Sequence, residues 1–329
     1  MKKTYFITGG TGSFAKKLIK HLLKNKLSKK IIVFSRDEYK QLILKEDNLI
    51  NKNLSSMRFL IGDVRDEDRL DFAIQKNIDV VIHAAAMKQV PATEYNPFEA
   101  VKTNILGAQH VIKSCIKKNI KKIIALSTDK AAAPINLYGA TKLTSDKLFI
   151  NANYFKGNAR CKFSVVRYGN VMGSRGSVIP LFLKQKKTNK IYTITDLNMT
   201  RFNITLDDSI KFVLKCEKIM KGGEIFVPKI PSYNIIDLLK AVDKKPKYKI
   251  IGVRPGEKLH EELITESDSL NTQEFKEYFI INSSYKIVKN KQNLKNTFSY
   301  NSRDNIKFLK PNEIKKLIDL NIYDFEKEN

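Results

Sequence analysis

Six short apolar runs separated by helix-patterned stretches constrain the fold of this chain more than any other feature. The runs are Thr4–Thr8, Lys30–Ser35, Met57–Gly62, Asp79–Ala84, Lys121–Ser127 and Lys162–Tyr168, all rich in Val, Ile and Phe. A continuous apolar run reads as a strand covered on both faces, and strands alternating with helices achieve that in a parallel sheet flanked by helices. The sequence therefore predicts an α/β fold with a doubly wound parallel sheet. Helices are expected after Gly12, from near Asp37, from near Asp66, over about Pro97 to Lys117 and from near Leu137. From about Asn170 the alternation loosens, punctuated by Gly173, Gly176, Pro180, Gly222, Gly223, Pro228 and Pro231. Residues 1–169 are expected to form the main domain and 170–329 mainly a smaller C-terminal lobe, with a strand and helix returning to the sheet near 200–228.

Charge and composition narrow the function classes. The net charge of +26 over 329 residues invites a nucleic-acid reading. The lysines, however, are scattered along helices and strand edges among abundant Asn and Ile, so a solvated basic surface is expected and no nucleic-acid partner. No apolar run approaches the ~20 residues that cross a bilayer, which predicts a cytoplasmic protein without a membrane partner. Cys115, Cys161 and Cys216 are odd in number and sit in mostly apolar sequence, as expected of reduced, buried thiols. Four histidines without ligand spacing predict no metal site.

The segment Thr8-Gly9-Gly10-Thr11-Gly12-Ser13-Phe14-Ala15 follows the first strand and opens a helix. Glycines there permit a tight turn and let backbone N–H groups approach a pyrophosphate at the positive helix end. Gly9, Thr11, Gly12, Ser13 and Phe14 are thus candidate dinucleotide contacts. The second strand ends in Ser35 and Arg36 rather than in a carboxylate at its tip, which suits a 2′-phosphate and makes NADP the expected cofactor. Asp63 and Val64 after strand three, and Ala84 and Ala85 after strand four, are candidates for further cofactor contacts.

Chemistry concentrates in Leu126-Ser127-Thr128-Asp129-Lys130 and Tyr138-Gly139-Ala140-Thr141-Lys142. Tyr138 and Lys142 are four apart, so a helix puts them on one face, where an ammonium can favour the phenolate. That is the proton-handling half of a hydride-transfer site. Asp129 and Lys130 end a buried strand, where sites of open α/β sheets lie. An acid and a base there allow more than oxidation. His83, after an apolar strand, is expected to be structural.

The glycine-rich turn, the Ser/Thr at the end of strand five and Tyr138-x-x-x-Lys142 together resemble the extended short-chain dehydrogenases/reductases with a Rossmann fold. Further motifs resemble one branch, the inverting UDP-N-acetylglucosamine 4,6-dehydratases of pseudaminic acid biosynthesis. They are Ile82–Ala86, Glu94–Pro97, Lys102–Asn104, Asn136–Lys142, Val166–Ser177, Met199–Phe202, Gly222–Pro231 and Gly252–Lys258. Ala15, Gln89, Ala133 and Asn203 depart from that pattern. The resemblance implies that Tyr138, assisted by Lys142, removes the sugar 4-hydroxyl proton while NADP takes hydride from carbon 4. Lys130 then acts as base at carbon 5, Asp129 protonates the leaving 6-hydroxyl, and hydride returns to carbon 6. Such a base must have a lowered pKa. The resemblance also implies roles for Thr128 in catalysis, Lys88 and Asn104 at the cofactor, and Lys88, Asn170, Arg175, Gly176, Ser177, Val178, Arg201, Arg254 and Glu257 at the UDP-sugar. It further implies a homo-oligomer, dimer-based and often hexameric. A nucleotide-sugar 4-epimerase would use Tyr138 and Lys142 without needing Asp129 and Lys130, and a silent NADP-binding regulator would need none of them.

Overall fold

A computed structural model describes residues 2–174, 176–188, 191–283 and 297–328. All six apolar runs are strands: β1 Lys3–Thr8, β2 Ser28–Ser35, β3 Met57–Ile61, β4 Val80–His83, β5 Lys122–Thr128 and β6 Lys162–Tyr168. They lie side by side in the order β6-β5-β4-β1-β2-β3, every pair parallel. This is the doubly wound α/β sheet expected from the sequence. Phe6, Ile7, Val33, Phe34, Val81, Ile82, Ile123 and Ile124 are buried, and full burial of such side chains contributes about 1.5–3 kcal/mol each.

The helices begin where side chains satisfy their orphaned N–H groups. Asp37 accepts from Lys40 N, Asp66 from Arg69 N and Asn136 from Gly139 N, which starts the helices Glu38–Glu46, Glu67–Ala73 and Leu137–Phe155. The long helix expected over 97–117 is divided into Pro97–Val101, a wide π-type turn at Lys102–Leu106, and Gly107–Lys117. Asn104 lies in that wide turn and is tied sideways to Met87 and Thr141, the kind of local insertion often found at functional sites.

Beyond residue 170 the chain serves two cores. The helix Leu206–Ile219 is followed by the strand Glu224–Pro228, which joins β6 in parallel. Tyr278–Asn282 and Thr272–Glu274 then extend the sheet antiparallel, making nine strands. A second apolar cluster gathers Met172, Ile179, Phe182, Tyr192, Ile194, Met199, Tyr233, Leu238, Leu309 and Ile314. The smaller lobe is therefore interleaved with returns to the sheet. Cys115, Cys161 and Cys216 are free and buried, as the sequence implied. Among the described residues no helix is long and apolar enough to cross a membrane, and no group of three or more His, Cys, Asp or Glu could hold a metal ion.

Candidate active site

A cavity of about 1360 Å³ opens between the carboxyl edge of the sheet and the second lobe. Its floor is the point where strand order reverses, between β1 and β4, the usual ligand position in open α/β sheets. Thr8 and His83 pair there. Thr8 Oγ1 lies 2.9 Å from His83 Nδ1 and accepts from the backbone N–H groups of Ala84 and Ala85. Burial and the nearby Lys142 lower the His83 pKa to about 3, so the ring is neutral and structural.

The glycine-rich turn fits a dinucleotide. Gly9 has φ +62°, and a Cβ on it would lie 2.9 Å from Ala85 Cα, so the strain and the close approach both exclude a side chain. Gly12 begins the helix Ser13–Lys24 without a side-chain cap, and the positive end of a helix favours an anion. Gly9, Gly12, Ser13, Phe14, Ala84, Ala85 and Lys88 line the cavity. Thr11 is buried in the turn. Ser35 is also buried, its hydroxyl accepting from Gln41, whereas Arg36 is 59% exposed and 3.5 Å from Asp63. Arg65 donates twice to Asp63, at 2.6 and 2.8 Å. Val64 is buried, with the backbone of Gly107 against its side chain. Asn104 accepts from Met87 N and donates to Met87 O and Thr141 Oγ1. Its amide is thus spent on bracing the loop after β4 and does not reach the cavity.

β5 ends in the chemical centre. Asp129 is fully buried, accepting from Thr128 Oγ1 at 2.9 Å and from Lys130 Nζ at 3.1 Å. Lys130 Nζ also donates to Asn170 Oδ1 at 3.2 Å and pairs with Glu261 Oε1 at 3.0 Å. Burial pushes the Asp129 carboxyl up, opposed by Lys130 and reinforced by Glu261. Burial alone would lower the Lys130 pKa, but Asp129 and Glu261 more than offset it and raise it. The lowered pKa expected of a base is therefore absent from the resting site: two carboxylates stand against this ammonium, a fact the sequence spacing did not reveal.

Tyr138 and Lys142 share a face of the Leu137–Phe155 helix, both buried. Burial raises the Tyr138 phenol to about 12, with Lys130 and a side-chain hydrogen bond with Thr128 pulling the other way. The ammonium acting on the phenol is thus that of Lys130. Lys142 Nζ donates to Leu126 O at 2.8 Å, and its pKa is lowered by burial against the opposing charge of Asp146.

The far wall comes from the second lobe. Asn170, Gly176, Ser177, Val178, Arg201, Arg254 and Glu257 all line the cavity, while Arg175 lies outside the described residues. Gly176 has φ +73° and passes against the Gln89 side chain. Arg201 is buried and committed to Thr200 O, Leu259 O and Glu257 Oε1. Arg254 is exposed on the cavity rim. The Arg254–Glu257 turn is closed by a 3.0 Å backbone bond, and Asn136 Nδ2 donates to Gly256 O. Sequence reasoning missed Glu261 and also Tyr233, whose phenol is raised to about 12 mainly by burial. Glu261 lies in His260-Glu261-Glu262, and nothing in that run says which carboxylate turns inward.

The model of the family described as "Polysaccharide biosynthesis protein" matches residues 5–283. A protein of Campylobacter jejuni named UDP-N-acetylglucosamine 4,6-dehydratase (inverting) is 51% identical, covering 96% of this chain and 97% of its own. A protein of Rickettsia felis named UDP-glucose 4-epimerase is 40% identical over 96% of this chain and 95% of its own. The X-ray structure of Pen from Bacillus thuringiensis superposes with a TM-score of 0.88 at 42% identity, covering 96% of this chain and 98% of that one.

Proposed function

The chain belongs to the polysaccharide biosynthesis protein family and, within it, to the inverting UDP-N-acetylglucosamine 4,6-dehydratases, which are hydro-lyases; from that premise we propose that it dehydrates UDP-N-acetylglucosamine with NADP as resident cofactor. The product is the 4-keto-6-deoxy sugar of L-arabino configuration, inverted at carbon 5, and the reaction opens pseudaminic acid synthesis in the cytoplasm. The observation that carries this reading is the Asp129–Lys130 pair at the end of β5: Lys130 lines the cavity with Tyr138 and Lys142, and Asp129 is buried against it at 3.1 Å. A 4-epimerase needs only the second pair.

A nicotinamide dinucleotide, when bound, would supply the redox chemistry, as acceptor and later donor of the hydride. Gly9, Gly12, Ser13 and Phe14 would hold its pyrophosphate, and Ala84 and Ala85 leave room beside it. Arg36, the exposed cation after β2, favours a 2′-phosphate. Tyr138 takes the proton of the sugar 4-hydroxyl through its phenol oxygen. That phenol lies high because of burial, so the Lys130 ammonium is needed to stabilise its ionised form. The ketone at carbon 4 acidifies the proton on carbon 5. Lys130 becomes a competent base by passing its proton across the 3.1 Å contact to Asp129, whose raised pKa suits it to hold that proton. The amine then removes the carbon 5 proton while Asp129 protonates the departing 6-hydroxyl. Asn170 and Glu257 face the sugar nucleotide, and Arg254 on the rim pairs with its diphosphate. The second lobe is thus the substrate lobe, and association of copies through exposed helices gives a homo-oligomer.

Incubation with UDP-N-acetylglucosamine in heavy water, without added cofactor, tests the reading by NMR. One deuterium on carbon 5 of an L-arabino 4-keto-6-deoxy sugar is expected. A product that keeps its 6-hydroxyl and differs only at carbon 4 would make the protein an epimerase. A D-xylo product would make it a retaining dehydratase.

A further inference from the structure

Glu261 has no part in the scheme above, yet it is built into the centre with more constraint than Lys130 itself. It is 2% exposed. Its backbone is pinned from both sides by Ser302, whose Oγ accepts from Glu261 N at 2.9 Å and whose N–H donates to Glu261 O at 2.8 Å. Ser302 is itself fully buried and 2.7 Å from Thr200 Oγ1. The side chain so anchored puts Oε1 3.0 Å from Lys130 Nζ and 3.8 Å from Arg201 Nε. Glu261 Oε2 and Asp129 Oδ2 are both buried with no hydrogen-bond partner among the described residues. A carboxylate held in that way, without full solvation, has to earn its place electrostatically or geometrically.

We propose that Glu261 is a positioning residue that holds the Lys130 ammonium beside Asp129 and, as a buried anion, keeps one transferable proton on the Asp129–Lys130 pair. The inference rests on the dehydration proposed above. In the working form the pair carries one movable proton, as ammonium with carboxylate or as amine with carboxylic acid. The amine takes the carbon 5 proton, and the acid gives its proton to the 6-hydroxyl. The C5–H and C6–O bonds break, a C5–C6 double bond forms, and water leaves. The pair finishes as ammonium and carboxylate, with no net redox change in this step. Activity fails when the pair holds no movable proton at high pH or two at low pH, so both limbs of the pH profile belong to the coupled pair. The other charged and titratable groups facing it are Arg201, Lys258, Tyr138 and Tyr233.

Removing the Glu261 charge lowers the proton affinity of Asp129 and of Lys130 alike, because a like charge leaves the first and an opposite charge leaves the second. The test is the pH dependence of kcat, read from product NMR in heavy water, for wild type, Glu261→Gln and Glu261→Asp. In Glu261→Gln both limbs are expected to move to lower pH, by about 1–3 units for the loss of a charge in contact. A fall in kcat with both limbs unmoved would reduce Glu261 to a structural role and overturn the inference. Glu261→Asp keeps the charge and loses reach, so its limbs are expected to stay while kcat falls; a wild-type kcat in this variant would overturn the positioning role, even if the amide variant does not fold. A wild type that places no deuterium on carbon 5 sinks the dehydration and this inference together. A wild type that does so, beside an unshifted Glu261→Gln, sinks this inference alone.

Discussion

Replacing Lys130 with methionine keeps an unbranched side chain one atom shorter and deletes the charge that Asp129 and Glu261 share. Those carboxylates lie 3.1 and 3.0 Å from Nζ and are both buried. Removing one partner from a buried ion pair costs about 3–5 kcal/mol. Arg201 remains 3.8 Å from Glu261 and Thr128 still donates to Asp129, so the lower end, about 3 kcal/mol, is expected here. The variant can relieve this by protonating Asp129, whose pKa burial already raises above the ordinary 3.8 and which no longer has Lys130 to oppose the rise. A carboxyl with a raised folded pKa binds more protons folded than unfolded between the two values. Its stability therefore falls as pH climbs through the folded pKa, and the deficit against wild type should be small at acid pH, where Asp129 is protonated, and full once it ionises across the acid-to-neutral range. Urea unfolding of both proteins across that range measures it. In turnover, hydride removal from carbon 4 should slow, because the Lys130 ammonium also favours the Tyr138 phenolate, while loss of water and deuterium entry at carbon 5 fall further, by about 10²–10⁴-fold. A pH-independent deficit would refute the electrostatic account, and carbon 5 exchange at the wild-type rate would refute Lys130 as the base.

Tyr138→Phe should slow oxidation at carbon 4 by about 10²–10⁴-fold while leaving UDP-sugar affinity within a few-fold, measured by calorimetry, because only the ionisable oxygen is lost. Arg36→Asp should weaken NADP far more than NAD in fluorescence titration; equal losses would mean that Arg36 does not read the 2′-phosphate. His83, lowered from 6.5 to about 3 by burial, makes the unfolded chain bind more protons than the folded one between those values. Stability should thus fall as pH drops below about 6.5, by about 3 kcal/mol at pH ~4 from this group alone, and His83→Asn should flatten that part of the curve in thermal unfolding.

The sheet was legible because its cause is local: an apolar run long enough for one buried strand recurs six times, and each run became a strand. Helix starts were legible for the same reason, since the caps the structure shows at Asp37, Asp66 and Asn136 bond only three residues ahead. The glycine turn, Tyr138 with Lys142, and Asp129 with Lys130 follow from adjacency or helical spacing, so the sequence by itself determined where proton-handling groups would sit. It did not determine their charge states. Glu261 reaches Lys130 across more than a hundred residues of chain, through a backbone position fixed by Ser302, and with Asp129 that contact reverses the expected pKa shift. Asn104 reads as a ligand contact in its motif but is consumed by Met87 and Thr141, brought to it by the wide turn. A side chain's identity and spacing name the chemistry available to it; the dielectric and the opposing charges around it, which come from distant segments, decide which protonation state it holds, and only the tertiary structure supplies those.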